Sequence, residues 1–303
     1  MIRRLLRVCG LTLGALAIAG CSESSLDNEP QTPPNPPLYE ISNADGDVEG
    51  WMLGTIHALP DGVEWRTDAI EGVIDRADFA IVEVANLNDS TAISSVFTVL
   101  AVTSQQQPEL PERVNEELKT PLYELIAKSD YSDYDFSATE TWAAALMLAR
   151  TQSTGDPANG VDRAIISDFA DRSVIELEGA LNQLRIFDGL DEEDQRALLE
   201  GVVTASIDEE SDPAQLRNAW LTGDNSVLEE ATRTGIMADP ELHQALIQDR
   251  NEDWAEKIEV TLAKPAKPLI AVGAGHLVGA NSLNSMLEAR GFTVRRIEQI
   301  PLP

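Results

Sequence analysis

The sequence predicts an α/β fold of mixed α+β type: a central mixed β-sheet flanked by helices, with two related halves and a helical insertion between them. Three observations carry that expectation. Strand-like apolar runs alternate with helical stretches near both ends, the two ends share one local pattern, and the middle is mostly helical. The shared pattern is a strand ending in Gly-x-x-His, then a helix, then a strand. It occurs as Trp51-Met52-Leu53-Gly54-Thr55-Ile56-His57 and as Leu269-Ile270-Ala271-Val272-Gly273-Ala274-Gly275-His276. With 19 glycines in 303 residues, two or more of the three histidines having glycine three places earlier is roughly a one-in-ninety accident.

Taken in order, the chain opens on a leader. Arg3, Arg4 and Arg7 precede a short apolar stretch, Val8 to Ala19, and Ile18-Ala19-Gly20-Cys21 has the form of a bacterial lipoprotein signal cut before Cys21. Residues 1–20 form the expected signal peptide, too short to span a bilayer. Cys21 is the expected lipidation site, which would attach the protein to a lipid bilayer of the cell envelope. An ordinary secretory signal cut near the same point is the alternative, and export follows from either. Ser22 in place of Asp resembles the pattern that sends lipoproteins to the outer membrane, facing the periplasm or the surface. Cys9 would leave with the leader, so neither a disulfide nor a thiolate-held zinc is available. Residues 21–37, rich in Pro, Ser, Asn and acidic groups, read as the lipidated cysteine and a disordered Pro-rich tether. One domain is expected over 38–303.

Within that domain the strand reaching His57 is followed by a helix at 66–76 and a strand at 79–84. The spacing of Val114, Leu118, Leu122, Leu125 and Ile126 predicts one helix over 111–128. Residues 141–150 are densely apolar, with Trp142 in the core. Asp162 stands as the N-cap of a helix over 163–171, and a strand follows at 173–178. Helices are expected at 191–206, 213–221, 225–232 and 241–262. The second unit closes the chain with a strand to His276, a helix at 282–289 and a strand at 292–297.

Charge excludes one class of partner. With 22 Lys and Arg against 52 Asp and Glu, the chain carries −30, and loss of the leader arginines deepens that value. Such a field repels nucleic acid, so no nucleic-acid partner is expected. A solvated acidic surface is the expected account of the charge, with an acidic docking face as its alternative; storage of divalent cations has no support, since no EF-hand-type Asp-x-Asp-x-Asp-Gly loop is present.

The chemistry rests on the two repeated histidines. A strand feeding a helix leaves its carboxyl end at the crevice where parallel sheets bind ligands, and glycine there permits a sharp turn or a close approach. Neutral imidazole is both a common metal ligand and a general base near neutral pH, so a converging pair suits either role. The plain alternative is that each histidine caps a helix or satisfies a buried backbone group. His243, without a glycine lead-in, reads as a helix-surface residue. There is no His-Glu-x-x-His, Gly-x-Ser-x-Gly or Gly-x-x-x-x-Gly-Lys-Ser/Thr motif.

A set of motifs in order adds a resemblance. They are Leu53-Gly54-Thr55-Ile56-His57 with Pro60, Val82-Glu83-Val84, Gly160-Val161-Asp162, Glu176-Leu177-Glu178 with Gln183, Trp220-Leu221-Thr222-Gly223-Asp224, Arg250-Asn251 with Trp254, and Val272-Gly273-Ala274-Gly275-His276-Leu277 with Gly279. Across 39–297 the chain resembles the TraB/GumN family, which includes the Tiki metal-dependent proteases and is distantly similar to erythromycin esterases and haem-binding ChaN proteins. Gly179 and Ala180 depart from the polar residues that relatives often carry there.

The resemblance implies a site of His57, His276 and Glu83, as ligands of a divalent metal or as catalytic groups. Without thiolate the donor set suits manganese, cobalt or zinc. A metal held with an open position would activate water and polarise a peptide carbonyl, with Glu83 as third ligand or base. Arg250 is a candidate to hold a substrate carboxylate or the developing oxyanion, its alternative being a salt bridge to the abundant surface acids. Glu178 is a candidate further ligand or a support for one, and Asp162 a support if not only a cap. The leading expectation is a metal-dependent hydrolase, most simply a peptidase acting on an exported peptide or protein. The alternatives are a metal-independent esterase-like hydrolase with His57 as base, and a lipoprotein that captures haem, metal or a peptide without turnover.

Overall fold

The computed structural model describes residues 33–298 apart from 105, 153–154 and 209–212. The expected signal peptide, Cys21 and most of the tether lie outside the described residues. Residues 35–37, read as the end of the tether, are instead bonded into the fold: Asn35 N–H donates to Leu221 O at 2.6 Å and Gly54 N–H to Pro37 O at 2.7 Å.

The first strand, β1 (Leu38–Ser42), was hidden in the sequence by the Pro-rich run before it. It turns back into β2 (Val48–Thr55), and α1 (Asp68–Arg76), capped by Thr67, leads to β3 (Phe79–Val82). A largely helical stretch follows: α2 (Ser90–Ala101), α3 (Lys119–Lys128), α4 (Thr141–Ala149) and α5 (Val161–Asp168). After β4 (Ser173–Glu176) come α6 (Gly179–Asp188), α7 (Glu192–Ala205), α8 (Pro213–Thr222) and α9 (Asn225–Ala231). Then α10 (Pro240–His243) runs through a wide π-turn, Gln244–Gln248, into α11 (Asp249–Leu262). The chain ends on β5 (Pro268–Gly273), α12 (Leu283–Ala289) and β6 (Thr293–Arg296).

Two expectations need correction. The helix expected over 111–128 is broken, because Val114 and Asn115 are extended. The cause is tertiary: Asn115 N–H donates to Glu200 Oε1 at 2.7 Å, and the Arg113 guanidinium folds back onto Pro108 O. Asp162 is not the N-cap of α5. That place belongs to Gly160, and Asp162 sits inside the first turn with its carboxylate free for other partners.

Among the described residues the strands form one mixed sheet in the order β4-β3-β5-β2-β1-β6. β2, β5, β3 and β4 are parallel neighbours in turn, while β1 is antiparallel to both β2 and β6. Alternation along the strands splits the core. Trp51, Leu53, Ala80, Val82, Leu269 and Ala271 join the core shared with α1, α5 and Trp220. Met52, Ile81, Ile270 and Val272 face the other way, onto Trp254, Ala255 and Ile258 of α11 and onto α12. A separate core built on Trp142, Phe136, Leu199 and Val203 lies in the helical insertion. No helix among the described residues is long and apolar enough to cross a membrane.

Candidate functional site

The sheet brings the two Gly-x-x-His turns together because β2 and β5 pair in parallel, with Thr55 opposite Gly273. Both chains therefore leave the sheet at one carboxyl-terminal edge, the usual ligand crevice of parallel strands. β3, parallel to β5 on its other side, delivers Glu83 to the same edge. The three groups meet around Gly273. A Cβ there would lie 3.3 Å from Glu83 Oε1, 3.6 Å from His276 Cδ2 and 3.9 Å from His57 Nε2, so these side chains border the space that glycine leaves empty.

His57 is the open member, with 72% of its side chain exposed. Its Nδ1 lies 2.8 Å from Asp162 Oδ2, and Thr55 Oγ1 donates to Asp162 Oδ1 at 2.5 Å. Val161 N–H donates to Ile56 O at 2.9 Å, which docks the first turn of α5 on the His57 loop. The charge and hydrogen bond of Asp162 raise the His57 pKa to about 9, outweighing the partial desolvation of the ring on its Asp162 side. Asp162 itself is pushed up by burial, but the His57 charge and the bonds from His57 and Thr55 carry it below its ordinary value.

His276 is the closed member. It is buried, its Nδ1 lies 2.7 Å from Asn251 Oδ1, and its ring packs on Trp254 with centroids 4.5 Å apart. Burial lowers its pKa to about 3, so at neutral pH His276 is neutral while His57 favours its protonated form.

Between them stands Arg250, over the Trp254 ring at 4.5 Å. Nη2 donates to Glu83 Oε2 at 2.7 Å and to Glu178 Oε1 at 2.6 Å. Nε donates to Glu178 Oε2 at 3.2 Å, and Nη1 serves Leu246 O at 3.0 Å and His276 Nε2 at 3.2 Å. A guanidinium has five N–H groups, and all are engaged. No N–H is left for a substrate carboxylate or an oxyanion. Arg250 is ion-paired, but with the two buried carboxylates of the site, Glu83 and Glu178, and not with the surface acids that its sequence alternative named.

Glu83 is equally committed, since Oε1 accepts the Gly273 N–H at 2.7 Å and Oε2 also accepts Gln183 Nε2 at 3.2 Å. Burial pushes its pKa up, but the neighbouring His276 ring, the charges of Arg250 and His57 and the Gly273 N–H together bring it below the usual carboxylate range. Glu178 is reached by the chain as it crosses from β4 to α6, where Gly179 N–H donates to Glu83 O at 3.0 Å. Burial raises its pKa despite Arg250.

The residues singled out in the sequence thus gather at one edge: His57, Glu83, Asp162, Glu178, Arg250 and His276. As placed they do not form a metal cage. Among the described residues no three His, Cys, Asp or Glu side chains are grouped to hold an ion, Glu83 is taken by N–H donors, and His276 Nε2 faces a guanidinium. His243 ends α10, half-buried. Four further residues escaped sequence reasoning: Thr55, Gln183, Asn251 and Trp254. Each lay inside a quoted motif, but nothing in their spacing told which atom they would hold.

A cleft of about 290 Å³ opens on this edge, bordered by His57, Glu83, Leu87, Asp162, Arg163 and Gln183 among others. A second hollow of about 260 Å³ lies beside Leu59, Trp65 and Arg66. Its charged group, Arg66, is already held by Glu71 and Asp168, so that hollow offers no reactive side chain.

A sequence model described as the TraB/PrgY/gumN family matches residues 37–296. No curated protein and no solved structure matches the chain.

Proposed function

The chain belongs to the TraB/PrgY/gumN family, and from that membership and the chemistry of the cleft we propose that it is an exported hydrolase of a carboxylic ester or peptide bond, with water activated by His57. The observation that carries this reading is the pair of His57 Nδ1 with the buried Asp162 carboxylate at 2.8 Å, on an imidazole whose other side borders the cleft. A histidine so held acts as a general base. His57 Nε2 takes a proton from water as the water oxygen bonds to the substrate carbonyl carbon. Asp162 stabilises the imidazolium that forms, and the imidazolium returns the proton to the leaving oxygen or nitrogen as the old bond breaks. Arg163, at the same cleft, donates Nη1 to Leu87 O and Asn88 Oδ1, and its remaining N–H groups are the ones offered to the oxyanion in place of the fully engaged Arg250. The two Gly-x-x-His units are read as related halves that supply one open and one closed histidine.

A second reading, a manganese-, cobalt- or zinc-dependent peptidase, is favoured by one observation. Both imidazoles anchor Nδ1 on a side-chain oxygen, Asp162 or Asn251, which is the pattern that supports histidine ligands in metal sites.

The test is hydrolysis of p-nitrophenyl acetate and of a fluorogenic peptide library before and after chelation. Under the first reading activity survives the chelator and His57→Ala lowers kcat by about 10²–10³-fold. Loss on chelation, with recovery on adding manganese, cobalt or zinc, would replace it with the second. Absence of turnover on either probe would leave a capture protein for haem, metal or peptide.

Cys21 is proposed as the lipid anchor, placing the domain in the cell envelope on the outer membrane and facing the periplasm or the surface. Mass spectrometry of the membrane-extracted protein is expected to find the mature N-terminus at an acylated Cys21. A soluble chain that retains residues 1–20 would refute that.

A further inference from the structure

Asn251 is fully buried, and both ends of its amide are spoken for. Nδ2 donates to Asn281 O at 2.8 Å and lies 3.4 Å from His276 O, two acceptors that only an N–H group can satisfy. The amide oxygen therefore faces His276, with Oδ1 at 2.7 Å from Nδ1. A carbonyl oxygen can only accept, so the ring proton is on Nδ1. The opposite edge of the ring reaches the same answer independently. Arg250 Nη1, at 3.2 Å from Nε2, has only hydrogens to offer, so Nε2 must carry a lone pair. Trp254, at 4.5 Å, holds the ring plane between these two neighbours.

We propose that Asn251 is a positioning residue that locks His276 as the neutral Nδ1–H tautomer, so that the Nε2 lone pair seats the Arg250 guanidinium against Glu83 and Glu178. His276 is then a holder of Arg250: it keeps its Nδ1 proton and neither takes up nor releases one during turnover. The lock stands on hydrogen bonding alone, while its consequence for rate rests on the hydrolase reading above.

The chain has three histidines, so imidazole ¹⁵N spectra of the full chain resolve into three ring systems, assigned through His57→Ala and His243→Ala. His276 is expected to show the Nδ1–H tautomer. Two variants separate the lock from a merely structural role. Asn251→Asp keeps an acceptor for Nδ1 but loses both amide donors to the 276–281 loop; Asn251→Leu loses everything. If the acceptor matters, Asp preserves the tautomer and keeps p-nitrophenyl acetate turnover within about 10-fold of wild type, while Leu gives mixed tautomers and lowers kcat by about 10²-fold with little change in KM. If Asp fails in the spectrum as badly as Leu, Asn251 only ties down the loop and the proposal falls. An Nε2–H tautomer in the wild type overturns it whatever the activity. A wild type that does not turn over the ester defeats the hydrolase reading but leaves both spectroscopic outcomes decisive.

Discussion

Arg250, at the cleft, and Arg113, in the helical insertion, are both withdrawn from water, and they are held by different kinds of acceptor. Arg250 sits between the Glu83 and Glu178 carboxylates and an imidazole. Arg113, with no exposed surface, donates to the main-chain carbonyls of Pro108 at 3.0 and 2.8 Å, Phe136 at 2.8 Å and Thr139 at 2.8 Å. Burial lowers the pKa of Arg113, with Glu192 and Glu140 opposing it, whereas the two carboxylates raise that of Arg250 despite burial. The first arginine balances charge that the cleft requires. The second ties irregular segments together where no strand or helix can supply their donors.

That difference predicts how each fails. Arg250→Met leaves two carboxylates buried beside each other without a cation, which costs about 3–5 kcal/mol. Arg113→Met leaves three carbonyl groups without that donor, at about 2–4 kcal/mol in sum. The sharper expectation lies in a second change. Adding Glu178→Gln removes one of the stranded charges and should recover 1 kcal/mol or more, by order of magnitude, in the Arg250→Met background. The same addition should recover nothing in Arg113→Met. Urea denaturation of the five chains reads all of this, and equal recovery in both backgrounds would erase the distinction between the two arginines.

How much of this was legible in the sequence follows from the range of the interactions. The Gly-x-x-His units were readable because each is local, and they converge because β2 and β5 happen to be parallel neighbours. The saturation of Arg250 was not readable: its carboxylate partners lie 167 and 72 positions away, so no spacing announces them. Asp162 was mistaken for a cap because Asp before a helix looks the same whether its oxygens turn to its own backbone or to His57. The helix over 111–128 had the right apolar period, but Glu200 and the carbonyls around Arg113 competed for the same backbone and won. β1 and α6 were missed for local reasons, one lying directly after a Pro-rich run and the other opening on Gly179.

The pair of His57 and Asp162 falls between the two arginines, since its carboxylate is buried and its imidazole is in water. It gives the smallest expected effect on stability and the most informative one on rate. Exposure screens the pair, so Asp162→Asn should cost about 1 kcal/mol or less, Thr55 still having an oxygen to bond. The sign with pH is fixed. The His57 pKa rises on folding from 6.5 to about 9, so its share of stability is complete below 6.5 and disappears as pH climbs through 9. The wild type should therefore lose more stability than Asp162→Asn between those limits. For hydrolysis the active form is the unprotonated ring, so the wild-type rate should climb with pH toward a midpoint near 9. Asparagine removes the main cause of that shift, and the midpoint should fall back toward 6.5. The plateau should drop by about 10²-fold, because the imidazolium formed in the transition state loses its counter-charge. A midpoint that stays in place would mean that a group other than His57 sets the profile, and the cleft would then have to be read from Glu83 and Arg250 outward.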